Sequence, residues 1–179
     1  AEITAERLAR ALEQHLLTLV SGDSPMDRTV SQDRRLNEVE QRGFMLFFTE
    51  SDPIRGIRGA DCFHCHGGAL FTNHQFLNNG LDADEALQDQ GRARVTGKAG
   101  DRGRFMVPSL RNIALTAPYM HDGRFTTLEA VIDHYDHGIR PGATLDPNLA
   151  KHLRHGGLGL TQDDKAALVA FLKTLTDDA

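Results

Sequence analysis

The sequence contains no long hydrophobic run and no excess of positive charge. Nowhere in its 179 residues do about eighteen apolar residues follow one another, so no membrane-spanning segment is predicted. The formal net charge of -5 argues against nucleic acid or an anionic membrane surface as a partner. No leader peptide is visible, and the start Ala1-Glu2-Ile3 is typical of a processed chain. These features leave one globular domain as the expected class.

Tryptophan is absent and aromatic residues are scarce. Aromatic side chains make up only 6% of the chain, and its 17 glycines indicate many loops. This composition predicts a modest protein core, whose volume a large buried apolar group would complete.

Cysteine occurs only twice, and both residues lie in the string Cys62-Phe63-His64-Cys65-His66. This C-x-x-C-H pattern is the attachment signature of a c-type haem. Thiols at this spacing share one turn and can add to the two vinyl groups of one porphyrin edge. The histidine that follows offers a neutral ring nitrogen to the iron. We therefore predict one covalent haem c on Cys62 and Cys65, with His66 as the proximal iron ligand.

Two other uses of a cysteine pair fit this sequence less well. A structural zinc site needs four ligands, and no second cysteine pair exists to complete one. A thioredoxin-type pair would follow a strand and open a helix, whereas a glycine-rich loop precedes Cys62. Haem attachment also predicts a periplasmic location, because haem is joined to thiols on the outer side of the bacterial plasma membrane.

Hydrophobic periodicity predicts a mostly α fold. The predicted helices cover residues 4–20, 32–48 and 162–175, and another opens at the capping box Thr126-Thr127-Leu128-Glu129. Gly43 is expected where the second helix crosses another helix closely. The second and last helices match the crossing pair of class I cytochromes c, so the predicted fold is a class I cytochrome c-like haem domain.

The expected organisation is an N-terminal helix and linker over residues 1–30, followed by the haem domain over residues 31–179. Residues 67–103 and 138–160 show no persuasive pattern and are predicted as loops. Four histidines in or beside such regions, His134, His137, His152 and His155, are expected at the surface.

The residues alone leave the distal ligand of the iron open. A methionine ligand suits electron transfer, a tyrosine favours ferric iron, and an open position permits peroxide binding. Met120 lies downstream of the motif on an irregular segment, where such a methionine is usually found. Tyr135 lies on the buried stripe of a helix, where it is either a ligand or a core tyrosine bonded to a backbone carbonyl.

Several strings resemble the C-terminal half of bacterial di-haem cytochrome c peroxidases and of the MauG group. The resemblance runs from about residue 10 to the end of the chain. Besides the haem motif, the strings that carry it are Gly43-Phe44-Met45-Leu46-Phe47, Val107-Pro108-Ser109-Leu110-Arg111-Asn112, Leu115-Thr116-Ala117-Pro118-Tyr119, Thr127-Leu128 and Leu168-Val169-Ala170-Phe171-Leu172.

The resemblance implies roles for several residues. In the peroxidases a methionine ligand comes from the position that Tyr135 occupies here, and MauG-type enzymes have a tyrosine there. Tyr135 is therefore favoured over Met120. The family also binds calcium, partly through backbone carbonyls that match those of Thr116 and Pro118. Arg111 is expected either to pair with a haem propionate or to lie at the surface.

The chain also departs from the family, because complete members carry two C-x-x-C-H motifs and this chain carries one. The resemblance then implies a periplasmic haem redox domain, incomplete as an enzyme, that handles electrons or oxidising equivalents in hydrogen peroxide-dependent oxidation. Its expected partners are a second haem domain or chain and a small cytochrome or other redox protein. The alternative is a stand-alone mono-haem electron-transfer cytochrome c with His66 and Met120 as ligands. A third hypothesis is a five-coordinate haem that reacts with peroxide unaided.

Overall fold

The computed structural model describes residues 2–177, which form helices joined by long ordered loops and one small antiparallel sheet. The elements are α1 (Ala5–Thr18), α2 (Pro25–Val30), α3 (Glu38–Phe48), β1 (Phe76–Leu77), α4 (Ala93–Thr96), β2 (Phe105–Met106), α5 (Leu128–Asp133), α6 (Pro147–Leu153) and α7 (Gln162–Lys173). Three single turns of 3-10 helix cover Cys62–His64, Ala99–Asp101 and Ile113–Leu115, and a π-helical turn covers His134–Gly138. Helix thus predominates and strand is scarce, which agrees with the predicted helical class.

Helices α3 and α7 cross at Gly43, as predicted. A Cβ atom added to Gly43 would overlap the backbone carbonyl of Ala167 and lie 2.8 Å from the Cβ atom of Phe171. Glycine is therefore required at this position, because any side chain would push the two helices apart. Around the crossing, Phe47 and Phe171 are almost fully buried, with ring centroids 5.1 Å apart. This packing forms the centre of the core.

Capping boxes set the starts of the packed helices. Thr161 accepts a hydrogen bond from the backbone of Asp164 while the Asp164 carboxylate accepts one from the backbone of Thr161. Asn37 and Glu40 form the same reciprocal pair at the start of α3. Because each box satisfies backbone donors that the helix leaves free, α3 begins at residue 38 instead of residue 32.

The N-terminal helix α1 differs from the other described helices, because every one of its residues is exposed. Its leucines Leu8, Leu12 and Leu16 are each more than half exposed. Among the described residues, none of the helices has both the length and the apolar character needed to cross a membrane.

Helix α2 is attached to the end of α7 and to Arg111. The backbone N–H of Met26 donates to the carbonyl of Thr174 at 2.9 Å, and Ser24 is almost fully buried. The Asp27 carboxylate accepts hydrogen bonds from both terminal nitrogens of Arg111, each at 2.8 Å.

The prediction of a loop throughout residues 138–160 is wrong for residues 147–153, which form α6. Asp146 caps this helix through a bond from the backbone of Asn148, and Pro147 occupies its first turn. An aspartate followed by proline is a helix-start signal, so this helix was readable from the sequence.

Candidate haem site

The haem motif forms a compact turn that begins beside α3. The backbone N–H of Ala60 donates to the carbonyl of Leu46 at 2.8 Å, which fixes the entry to the turn. The N–H groups of Cys65 and His66 both donate to the carbonyl of Cys62, at 3.2 and 2.8 Å. The two cysteines and the histidine therefore share one hydrogen-bonded turn, as attachment of both thiols to a single porphyrin edge requires.

His66 has the environment of a metal-binding histidine. Its Nδ1 atom lies 3.0 Å from the carbonyl oxygen of Phe71. A carbonyl can only accept, so Nδ1 carries the proton and Nε2 keeps its lone pair. Burial lowers the pKa of His66, which favours the neutral ring that an iron ligand requires.

The two thiols are unpaired and poorly suited to redox exchange. Burial, followed by the charge of Asp61, raises the pKa of Cys62 to about 12. Burial likewise raises the pKa of Cys65 to about 11. Thioredoxin-type cysteines need a lowered pKa, so this environment argues against that use and is compatible with haem attachment.

Tyr135 lies on the π-helical turn that follows α5. Such turns are rare and frequently mark functional sites, because they re-aim side chains that a regular helix would place elsewhere. Burial raises the pKa of the Tyr135 phenol to about 12, a hydrogen bond from Asn79 opposes this shift, and the nearby charges of Cys65 and Cys62 add to it. The tyrosine and the haem motif therefore border the same part of the core.

Met120 also reaches this region. Its backbone has a φ of 73°, an uncommon left-handed conformation for a methionine. Its sulfur accepts a hydrogen bond from Nδ2 of Asn79 at 3.3 Å, and the same nitrogen lies 3.5 Å from the Tyr135 hydroxyl oxygen. The structure thus brings together both predicted distal ligands at one amide group.

Two of the histidines expected at the surface are buried. His134 is 5% exposed, and its Nε2 atom lies 3.1 Å from the carbonyl oxygen of Asn79. His152 is 3% exposed, and its Nε2 atom lies 2.9 Å from a carboxylate oxygen of Asp61. These predictions were wrong because each ring packs against a loop that is distant in sequence. His137 and His155 are exposed, as expected.

Asp61, next to the first cysteine, is a supporting residue that the sequence did not reveal. It is buried in a left-handed conformation, accepts a bond from the backbone of Ser51, and lies 2.9 Å from the ammonium group of Lys151. Burial opposes ionisation, but the bonds from His152 and Lys151 hold the pKa of Asp61 below its usual value. The charged carboxylate therefore anchors the start of the motif to α6.

Arg111 has protein partners that account for much of its hydrogen-bonding capacity. Its terminal nitrogens bind the Asp27 carboxylate, and its Nε atom donates to the carbonyl of Ala69 at 2.9 Å. One hydrogen remains on each terminal nitrogen, so a propionate contact stays a prediction. Thr116 and Pro118 are exposed, and the calcium role of their carbonyls also stays a prediction.

Comparison with known proteins gives a consistent set of relatives. No protein-family model matches the chain. It is 33% identical over 180 residues to cytochrome c551 peroxidase of Nitrosomonas europaea, covering 99% of this chain and 46% of that protein. It is 34% identical over 174 residues to the methylamine utilization protein MauG of Methylorubrum extorquens, covering 97% of this chain and 45% of that protein. The chain thus spans about half the length of the curated relatives it matches.

Solved structures agree with the sequence relatives. A MauG-like protein associated with microbial copper homeostasis has a TM-score of 0.75 and 39% identity, covering 88% of this chain and 49% of that protein. The dihaem peroxidase BthA of Burkholderia thailandensis has a TM-score of 0.64 at 22% identity, covering 87% of this chain and 46% of that protein. The second likeness concerns the fold alone.

Proposed function

Because the chain belongs, over about half of its relatives' length, to the family of cytochrome c peroxidases and MauG proteins, we propose that it is a c-type haem redox domain. The observation that carries this proposal is the environment of His66. Its partly buried ring is hydrogen-bonded through Nδ1 at the end of the cysteine turn, which leaves Nε2 available to a metal.

Four residues of the chain have separate roles in holding the haem. Cys62 and Cys65 would hold it covalently through their thiols, and His66 would be its proximal iron ligand. Tyr135, on the π-helical turn, would be the distal iron ligand. When bound, the haem supplies an iron that exchanges single electrons.

Tyrosine ligation suits the storage of oxidising power. A phenolate oxygen is anionic and hard, so it stabilises ferric iron more than ferrous iron, whereas a methionine sulfur does the reverse. Tyr135 packs partly buried against the core, and this burial raises the pKa of its phenol to about 12. We therefore favour His66 and Tyr135 as the ligand pair of a MauG-like domain.

The proposed context is an enzyme that oxidises its substrate with hydrogen peroxide. This domain handles electrons or oxidising equivalents for a second haem domain or chain, with a small cytochrome or other redox protein as partner. The relatives named as cytochrome c peroxidases and MauG support this context. The proposed location is the periplasm, and calcium bound by the carbonyls of Thr116 and Pro118 is a further proposal.

The second candidate function is that of a mono-haem electron carrier with His66 and Met120 as ligands. The observation that favours it is the position of the Met120 sulfur, which shares the amide of Asn79 with the Tyr135 oxygen. Thioether ligation would raise the reduction potential and suit electron delivery.

Mass measurements test the proposed function. Protein produced with haem-attachment machinery is expected to keep the mass of one haem after denaturation, and the Cys62→Ala/Cys65→Ala variant is expected to lose it. Under native conditions the enzyme is expected to contain a second haem domain or chain. A denatured wild-type chain without haem would contradict the proposal, and a native mass of one haem chain alone would favour the mono-haem carrier.

A further inference from the structure

One side-chain nitrogen faces both candidate distal ligands. Nδ2 of Asn79 is 3.3 Å from the Met120 sulfur and 3.5 Å from the Tyr135 hydroxyl oxygen. An amide nitrogen carries two hydrogens, so it can direct one toward each atom. The N···O distance of 3.5 Å is longer than that of an ordinary N–H···O hydrogen bond, which is about 2.7–3.2 Å.

The backbone of Asn79 is held in place by bonds on both sides of the residue. Its own carbonyl oxygen accepts from Nε2 of His134, the residue just before Tyr135. The preceding Asn78 accepts from the N–H of Gly80 at 2.9 Å and donates to Thr144 at 2.9 Å. Asn79 is thereby tied to the π-helical turn by its backbone while its side chain points at the ligand atoms.

The two contacts of Asn79 differ in strength. A thioether sulfur is a weak acceptor, whereas hydrogen bonds to an ionised oxygen are roughly twice as strong as those between neutral groups. An amide at this position consequently stabilises a tyrosinate more than it stabilises a methionine. The hydrogen bond to Met120 also holds the methionine sulfur beside the Asn79 amide, which restricts its approach to the iron.

We propose that Asn79 is a positioning residue that selects Tyr135 over Met120 as the distal ligand. This inference rests on the proposed function in one respect, namely that haem occupies the space between His66 and Tyr135. Asn79 itself does not bind the iron. It acts by donating to the tyrosine oxygen and by retaining the methionine sulfur.

The ferric optical spectrum of the haem-loaded full chain tests this proposal. Methionine-ligated ferric haem has a far-red sulfur-to-iron charge-transfer band, which tyrosine-ligated haem lacks. Wild type is expected to lack this band. Asn79→Ala is expected to gain it, with a matching loss of the tyrosinate charge-transfer absorption. The double variant Asn79→Ala/Met120→Leu is expected to lose the far-red band again, which assigns it to Met120.

A second Asn79 variant and a control variant distinguish loss of the amide donor from a general effect on folding. Asn79→Asp keeps the side-chain shape but removes both donor hydrogens, so it is expected to gain the same band. Asn148→Ala makes the same truncation on α6 and is expected to leave the spectrum unchanged. If both Asn79 variants load haem and keep the wild-type spectrum, Asn79 does not select the ligand and the proposal is wrong.

The failure of tyrosine ligation itself would look different. In that case the far-red band would already be present in wild type and would survive Tyr135→Phe. That outcome would overturn both the assignment of Tyr135 and the proposed role of Asn79, whereas unchanged Asn79 variants would overturn the second alone.

Discussion

The Nδ1 atom of His66 lies 3.0 Å from the carbonyl oxygen of Phe71, which is five residues further along the chain. This bond fixes both the tautomer and the direction of the ring, because the carbonyl can only accept. In this tautomer Nε2 is the ring nitrogen that keeps a lone pair, so it is the atom that can bind a metal. The Phe71 carbonyl therefore determines which ring nitrogen of His66 is available to a metal.

Removal of the His66 ring is expected to separate haem attachment from haem ligation. In His66→Gly the two thiols still attach the haem, so the denatured mass keeps the haem. The ferric spectrum is expected to change and to recover when imidazole is added, because free imidazole can occupy the cavity. His155→Ala, at an exposed position, is the control and is expected to leave the spectrum unchanged. Recovery failing at saturating imidazole would argue against His66 as a ligand.

The crossing of α3 and α7 makes a prediction about stability. Gly43→Ala is expected to lower the free energy of unfolding by about 1–3 kcal/mol, because its Cβ would displace the Ala167 backbone. Gly100→Ala is the matched control, since no atom lies within 4 Å of its added Cβ. Its effect is expected to stay within about 1 kcal/mol. Urea unfolding measures both, and equal midpoints would contradict the close crossing.

The ion pair between Asp27 and Arg111 predicts a dependence of stability on pH. The Arg111 side chain, through its hydrogen bonds, holds the pKa of Asp27 well below its usual range, despite partial burial. A carboxyl whose pKa is lower in the folded state stabilises the fold above its unfolded pKa of about 4, and this contribution is lost as the pH falls toward the folded value.

Asp27→Asn is therefore expected to lower the free energy of unfolding by about 1–3 kcal/mol at neutral pH, since it removes a charged, partly buried hydrogen-bond acceptor. The difference from wild type is expected to shrink below pH 4. Urea unfolding between pH 3 and pH 7 checks this, with the exposed Glu13→Gln as control. A difference that stays constant over that range would show that charge at Asp27 contributes nothing.

Part of the fold followed from local signals in the sequence. The haem turn was predictable because its chemistry demands two cysteines and a histidine at fixed spacing. The contact at Gly43 was predictable because a glycine on the apolar face of a helix is typical of a place where another backbone approaches closely. The start of α7 followed from its capping box at Thr161.

The surroundings of the site were less predictable, because they depend on which loops meet in space. Asn79 belongs to a string that reads as an ordinary turn, and only the fold places its amide between two distant side chains. His134 and His152 lie beside polar residues, yet each ring is buried against a partner more than fifty residues away. Hydrophobic pattern carries no information about such polar contacts.

The distal ligand is the part of the site on which the proposed function depends most. The measurement that tests it most directly is the ferric spectrum of wild type, Tyr135→Phe and Met120→Leu, each loaded with haem. We expect wild type to lack the far-red sulfur-to-iron band, Tyr135→Phe to change the spectrum, and Met120→Leu to preserve it. A far-red band in wild type that survives Tyr135→Phe and disappears in Met120→Leu would contradict the account.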